Sequence, residues 1–313
     1  MRFLLLFFIF YDKVVFGKII FKGGIFLDEN ENFRHPEKWR ETRDPFSLPY
    51  KSFRLCKILG YPHAGNDVFH AKGFVGNEEV TVYIKAARRK DAAIKNDVEM
   101  MRAFPFECVP EVIDCGFGEI PFSVTRELPG RRLSVIVGEN EEMLSLRYMK
   151  KYGKALAKIH GIKNIDAKPV CERKFHLCPT LEELEKAGFS SLAPFFERKP
   201  GESPTVFCHG DFHYANILWQ NEEISAILDF ELAGFGNRDF DIAWAVALRP
   251  GQKFFRTEKE LSLFLEGYSE FGNYNAKAVR YYMAQIYIHF LQFCQNDKDY
   301  CEYVSRWLFE NCI

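Results

Sequence analysis

The chain has 313 residues, of which 47% are hydrophobic and 27% are charged, so its composition is that of an ordinary globular protein with room for two lobes. Its 42 basic and 43 acidic residues leave a formal net charge of −1. This balance argues against a dedicated nucleic-acid binder, which usually carries a basic surplus. We expect no nucleic-acid partner.

The nine cysteines are odd in number and scattered along the chain, and no two of them form a CxxC pair. This spacing does not indicate a zinc site of the usual kind. A scattered set fits a reducing compartment better than a disulfide framework. We therefore expect a cytoplasmic protein.

The chain opens on MRFLLLFFIF, in which a basic residue precedes an apolar run of eight residues. The run is too short to span a bilayer, and no small-residue cleavage site follows it. After Tyr11-Asp12, the residues KVVFGKIIFKGGIF read as strands broken at Gly17 and at Gly23-Gly24. We predict an N-terminal β extension rather than a targeting signal, and we expect no membrane partner.

Residues 29–52 are polar and contain three prolines, which indicates a connector. Three strand-like runs follow from Phe53, with Gly76-Asn77 as the hairpin turn between the second and the third. A helical spacing comes next, in KDAAIKNDVEMMRAF, and then two more strand-like runs, CVPEVIDCGFGE and IPFSVTREL. The predicted order is strand, strand, strand, helix, strand, strand.

The pattern changes after Pro129-Gly130. A long amphipathic helix is predicted over 141–162, and a shorter one is opened by Thr180 with Glu183 at capping-box spacing. From about Asp239 the chain is mostly helical and rich in aromatic residues. We predict an α+β protein with a mainly β lobe over 1–128 and a mainly α lobe over 129–313.

The polar residues of FCHGDFHYANILWQNEEISAILDFE (207–231) lie among apolar, strand-like runs. Asp and Asn are common turn residues, so turn chemistry alone would explain them. A hairpin between 217–219 and 224–230 would instead bring Asn216 and Asp229 to the same end. An amide oxygen and a carboxylate there suit Mg²⁺. Asp211, five residues before Asn216, could accept a proton from a hydroxyl that attacks a γ-phosphate.

On these residues the chain resembles the aminoglycoside phosphotransferase and choline kinase family of small-molecule kinases. The resemblance rests on HGDFHYAN (209–216), LDFE (228–231), GNRDFDIA (236–243) and YGKALAKIH (152–160). The family shares the two-lobed protein-kinase-like fold, so the resemblance implies that fold over about 53–250. It further implies a Mg²⁺-dependent transfer of the γ-phosphoryl group of ATP or GTP to a small-molecule hydroxyl.

The resemblance also implies roles for residues of the first lobe. AGNDVFHAKG (64–73) looks like the nucleotide loop and contains Asn66, although it lacks GxGxxG. Lys85 would contact the α- and β-phosphates, with Glu99 holding it in place. Backbone groups around Thr125, Glu127 and Leu128 would receive the base.

In the second lobe, the resemblance gives Asp211 the role of catalytic base or hydroxyl-orienting group, and Asn216 and Asp229 the role of Mg²⁺ ligands. Asp241 would hold the catalytic loop by backbone hydrogen bonds. His209 would support the same loop, and His160 would be a satisfied core histidine.

The acceptor is less defined. The motif HGD, in place of HND, favours the aminoglycoside-kinase branch of the family. That branch also includes kinases of sugars and amino acids. A choline, homoserine or sugar kinase is therefore the alternative acceptor class. A kinase-like binding protein without catalysis is a further alternative, against which all three polar catalytic positions are present.

Overall fold

The structure is a computed structural model that describes residues 43–62, 65–138, 142–170, 172–252 and 254–312. The expected N-terminal β extension lies outside the described residues. The chain divides into two compact units. The first holds the described residues up to Pro129 together with Ala226–Glu231, and the second holds Gly130–Ser225 and the described residues from Leu232 onward. The segment Ala226–Glu231 thus belongs to the first unit, although the sequence assigned it to the C-terminal lobe.

The first unit is built on a five-stranded antiparallel sheet with the order β1-β2-β3-β5-β4. Its strands are β1 (Phe53–Gly60), β2 (Asp67–Val75), β3 (Glu78–Ala86), β4 (Val112–Gly116) and β5 (Phe122–Arg126). The helix α1 (Ile94–Ala103) lies between β3 and β4 in the chain. The predicted order of five strands and one helix is confirmed, and so is the turn at Gly76-Asn77.

The sheet positions the side chain of one candidate site residue by the alternation of side chains along a strand. In β3 the residues Val80, Val82, Ile84 and Ala86 are buried in the core of the first unit. Because successive side chains of a strand point to opposite faces, Lys85 projects from the other face. The strand is thereby a rigid support for one cation.

The second unit is mainly helical. Its helices are α2 (Leu133–Val137), α3 (Glu142–His160), α4 (Leu181–Ala187), α5 (Ala193–Glu197), α6 (Arg238–Val246), α7 (Glu258–Ser269), α8 (Ala276–Leu291) and α9 (Lys298–Cys312). Strands β6 (Arg131–Arg132), β8 (Ile217–Gln220) and β9 (Glu223–Ile227) form one small sheet, and β7 (Thr205–Cys208) pairs with β10 (Gly234–Asn237) in another. The predicted capping box of Thr180 and Glu183 is confirmed at the start of α4.

The β8–β9 hairpin confirms one prediction and corrects another. Asn221 and Glu222 connect the strands with positive φ angles of 52° and 59°, as a two-residue hairpin turn requires. The second strand ends at Ile227, however, and not at 230 as the apolar run suggested. Asp229 has a φ of 66°, which is incompatible with a strand, so it lies in the segment that follows.

Helices α3 and α7 approach each other so closely that only glycine fits at two points. A Cβ atom at Gly153 would overlap the carbonyl oxygen of Phe264, and one at Gly267 would overlap the carbonyl oxygen of Lys150. Backbone carbonyls of packed helices cannot rotate away as a side chain can. The contact therefore fixes the position of α3, the helix that ends at His160.

No helix within the described part of the chain is both long enough and apolar enough to cross a membrane.

Substitution of Gly153 by Ala tests this helix contact. We expect a loss of about 1–3 kcal/mol in the free energy of unfolding, because the added methyl group forces the two helices apart. Urea denaturation measures this loss. Gly201→Ala is the matched control, since a Cβ there meets nothing within 4 Å. Equal stability of the two variants would show that the helices are not in close contact.

Candidate active site

In the first unit, the Lys85 ammonium group lies among three carboxylates. Its Nζ atom is 2.9 Å from Asp97 Oδ2, 2.8 Å from Asp229 Oδ1 and 2.8 Å from Glu231 Oε1. Asp97 comes from α1, whereas Asp229 and Glu231 come from the segment Ala226–Glu231. One cation on β3 thus joins a helix and a segment that is distant in sequence.

The electrostatics of this cluster follow from an excess of acids. Burial alone would lower the pKa of Lys85, but Asp229, Asp97 and Glu231 hold it well above its usual value. Burial, with the repulsion of the two other acids, raises the pKa of Asp97 to about 6 against the opposing effect of Lys85. Lys85 is therefore a cation that is outnumbered by the three acids around it.

The structure corrects the predicted partner of Lys85. Glu99 does not contact Lys85; it lies on the solvent side of α1, where it pairs with Lys95 at 3.6 Å. Asp97 takes its place, with 2% of its surface exposed. The reason is the phase of the helix: Asp97 lies three residues after the buried Ile94 and four before the buried Met101, whereas Glu99 is about 200° further round the helix axis.

The segment around Asp229 is bound tightly to α1. The Phe230 N–H donates to Asp97 Oδ1 at 2.8 Å, and Asn96 Nδ2 donates to the carbonyl oxygens of Phe230 and Glu231. These bonds hold Asp229 in its left-handed conformation, which Asp tolerates better than most residues do.

Glu231 connects several elements of the first unit. Its carboxylate accepts hydrogen bonds from Asn66 Nδ2 and from the Ala93 N–H, and it pairs with Arg89 as well as with Lys85. Asn66, which the resemblance placed in the nucleotide loop, is only 2% exposed. Glu231 thus contacts both the Asn66 side chain and the Lys85 ammonium group.

The three residues predicted to contact the base lie at the end of β5 and just beyond it. Thr125 Oγ1 donates to the carbonyl oxygen of Tyr83 at 3.4 Å. The Glu127 N–H donates to the carbonyl oxygen of Thr81, and the Glu127 carboxylate is 3.1 Å from His70 Nε2. Leu128 is half-buried. The Glu127 N–H is therefore already used within the sheet.

In the second unit, one buried carboxylate shapes the loop before Asp211. Asp241 accepts hydrogen bonds from the His209 and Gly210 backbone N–H groups, which confirms its predicted role. Gly210 has a φ of 78° and lies against the Leu232 carbonyl, where no Cβ fits. His160 is buried between Tyr268 Oη and Asp241 Oδ2, so its prediction as a satisfied core histidine is also confirmed.

Asp211 has a donor on each carboxylate oxygen. Trp244 Nε1 donates to Oδ1 at 2.8 Å, and Asn216 Nδ2 donates both to Oδ2 at 3.2 Å and to the Asp211 backbone carbonyl at 3.0 Å. His213 Nε2 is 3.5 Å from Oδ1. The Nδ2 bonds orient the Asn216 amide, so its Oδ1 atom is the one left to act as an acceptor or ligand.

The surroundings of Asp211 keep it ionised. Burial alone would raise its pKa, but His213, the Trp244 hydrogen bond and the charge of Arg249 hold the pKa well below its ordinary value. A carboxylate of this kind is a poor proton acceptor in the ground state. It is well suited to accept a hydrogen bond from a hydroxyl and to hold that hydroxyl in one direction.

Sequence reasoning missed Asp97, Glu231 and Trp244. The buried phase of α1 would have identified Asp97, because it shares a face with Met101. Glu231 follows Asp229 at two residues, which a strand would have placed on the same side. No local signal identifies Trp244, because its contact with Asp211 joins residues 33 positions apart.

Comparison with known proteins gives consistent results. A curated aminoglycoside 3'-phosphotransferase of Niallia circulans is 27% identical over 162 residues, which cover 47% of this chain and only 61% of that protein. Aminoglycoside phosphotransferase APH(4)-Ia, solved with ADP and hygromycin B, has a similar fold with a TM-score of 0.52 and 16% identity, over 82% of this chain and 94% of its own.

Macrolide 2'-phosphotransferase MphH from Brachybacterium faecium has a TM-score of 0.51 and 18% identity, over 84% of this chain and 94% of its own. At these identities the structural likeness concerns the fold, which is the kinase-like α+β fold that the sequence predicted. The family model described as the phosphotransferase enzyme family matches residues 66–274. With its kinase-like fold and a family match over more than half its length, the chain belongs to the phosphotransferase enzyme family.

Proposed function

We propose that the protein transfers the γ-phosphoryl group of ATP or GTP to a hydroxyl group of a small molecule. The observation that carries this proposal is the Asp211 carboxylate, which is kept ionised and has both oxygens oriented by side-chain donors. Family membership and the Lys85 cluster support it.

In this reaction Asp211 orients the acceptor hydroxyl and takes its proton as the new bond to phosphorus forms. Its low basicity fits phosphoryl transfer, in which positioning and charge neutralisation matter more than early proton removal. Asp241 and Gly210 maintain the loop conformation on which the direction of the carboxylate depends.

Lys85 is the proposed ligand of the α- and β-phosphates. Its ammonium is a fixed cation at the end of a rigid strand, and Asp97 holds it there. We propose that Asn66 supports this position through Glu231. Backbone groups near Thr125, Glu127 and Leu128 are proposed to contact the base, with the Glu127 N–H excluded because it is already bonded to Thr81.

Asn216 and Asp229 are the proposed ligands of Mg²⁺. Their donor atoms fit this ion, since Mg²⁺ prefers carboxylate and carbonyl oxygens. Within the first unit, moreover, oxygens of Asp97, Asp229 and Glu231 lie within 4.8 Å of one another. When bound, the ion neutralises charge on the transferred phosphoryl group.

We propose an aminoglycoside-type antibiotic or a similar polyhydroxylated compound as the acceptor. The support is the Niallia circulans relative, which is an aminoglycoside 3'-phosphotransferase. A choline, homoserine or sugar kinase is the alternative. The scattered cysteines, together with the use of ATP or GTP, lead us to propose the cytoplasm as the compartment.

Substitution of Asp211 by Asn tests the proposed reaction. The amide preserves the shape but cannot take the proton, so we expect kcat to fall by about 10²–10⁴-fold. The measurement is nucleotide consumption with a panel of aminoglycosides, choline, homoserine and sugars. Asp166→Asn, an exposed acid in the same unit, is the control with unchanged activity. Full activity of Asp211→Asn would exclude the proposed role.

Substitution of Asp97 by Asn, compared with Glu99 by Gln, tests the corrected partner of Lys85. We expect Asp97→Asn to raise the KM for nucleotide about tenfold, because the loss of one charged hydrogen bond loosens Lys85. Glu99→Gln should remain within about twofold of the parent protein. Titration calorimetry with ATP and GTP gives a second measure that does not require turnover. The reverse ranking would restore Glu99 as the partner.

A further inference from the structure

Trp244 lies between Asp211 and the buried guanidinium of Arg249. Its indole Nε1 donates to Asp211 Oδ1 at 2.8 Å. On the other side, the guanidinium carbon of Arg249 lies 4.1 Å from the centre of the Trp244 ring, and Arg249 Nη2 donates to the Trp244 carbonyl oxygen at 2.7 Å. Trp244 is 5% exposed and Arg249 is 8% exposed.

The Trp244 ring has little freedom to turn. Phe175 stacks on it with a centroid distance of 4.3 Å and an interplanar angle of 22°, and Phe290 lies 6.1 Å away. A ring packed on its faces by an aromatic residue and a guanidinium keeps one orientation. The direction of its N–H is therefore set by the core of the second unit and not by Asp211.

Arg249 has an unusual set of partners for a buried cation. Its guanidinium donates to the carbonyl oxygens of Trp244 and Ala247, and among the described residues no carboxylate forms an ion pair with it. Asp211 is the acid whose charge acts on it most strongly. The positive charge behind the indole thus favours the ionised form of Asp211 without contact between the two side chains.

We infer that Trp244 is a positioning residue for Asp211, and that Arg249 fixes Trp244 and supplies the charge behind it. This inference rests on the proposed role of Asp211. The Trp244 N–H holds Oδ1, and Asn216 holds Oδ2, so the carboxylate cannot rotate about its Cβ–Cγ bond without losing both bonds. The carboxylate lone pair that accepts a hydrogen bond from the acceptor hydroxyl then points in one direction.

The test is Trp244→Phe, which keeps an aromatic ring between Phe175 and Arg249 but removes the N–H donor. With MgATP and the best acceptor of the panel, and separately with water as acceptor, we expect kcat to fall about tenfold to a hundredfold. The KM for nucleotide should remain within about twofold. Trp219→Phe is the matched control, because its buried Nε1 has no hydrogen-bond partner among the described residues.

A second readout separates positioning from packing. The groups that act on Asp211 are Trp244, Arg249 and Tyr152 from the surrounding elements, and His209, His213 and Asn216 from its own loop. The indole ¹H–¹⁵N signal of Trp244, assigned by its absence in Trp244→Phe, reports on the contact between the Trp244 N–H and Asp211. We expect this signal to move in Asp211→Asn and to stay unchanged in Asp166→Asn.

The two readouts have definite outcomes. A wild-type kcat in Trp244→Phe, an unchanged Trp244 indole signal in Asp211→Asn, or an equal loss of kcat in Trp219→Phe would each overturn the inference. If Trp244→Phe does not give a cooperative thermal transition, Arg249→Lys decides, with a fall in kcat at an unchanged KM for nucleotide as the expected result. If the parent protein transfers no phosphate, the proposed function fails, and the indole signal still tests the contact.

Discussion

The ion pairs of Lys85 are the interaction on which the first unit depends most. One ammonium group on β3 holds an acid from α1 and two acids from a segment more than 140 residues away in sequence. Buried carboxylates without a counter-charge would destabilise the folded unit, so the cation stabilises this arrangement of acids. Because Lys85 projects from a strand whose other face is core, the sheet fixes its backbone, and the three acids hold its ammonium group.

The second unit stabilises its buried acids by hydrogen bonds and not by a lysine. Asp241 and Asp211 are both acids in a packed interior, and neither has a direct ion pair with Lys or Arg among the described residues. Asp241 is satisfied by backbone N–H groups and by His160, and Asp211 by Trp244 and Asn216. Hydrogen bonds with fixed direction therefore replace a mobile counter-ion, and this gives a carboxylate whose orientation is defined.

Much of this was predictable from the sequence where the signal is local. The β-then-α order, the hairpin turn at 221–222 and the loop from His209 to Asn216 depend on residues close together in the chain. Asp241 as the support of that loop followed from the family resemblance.

The predicted partner of Lys85 was wrong because Asp97 and Glu99 are both acids on one helix. The two acids differ only in which side of the helix is buried. Few apolar residues in the sequence indicate that side. Trp244 was not predictable, since an indole among aromatic residues gives no indication of which acid its N–H will meet.

The return of Ala226–Glu231 to the first unit has a consequence for how the chain can be divided. Phe230 is fully buried within that unit, against Phe104, and its N–H is bonded to Asp97. A fragment that begins at Gly130 would carry Phe230 and Glu231 without these partners, and a fragment that ends at Pro129 would leave Lys85 with one acid instead of three. A cut at Pro129 therefore separates Lys85 from two of its acids and Phe104 from Phe230. The chain crosses between the units more than once, so the ion pairs of Lys85 are complete only after residue 231 has been synthesised.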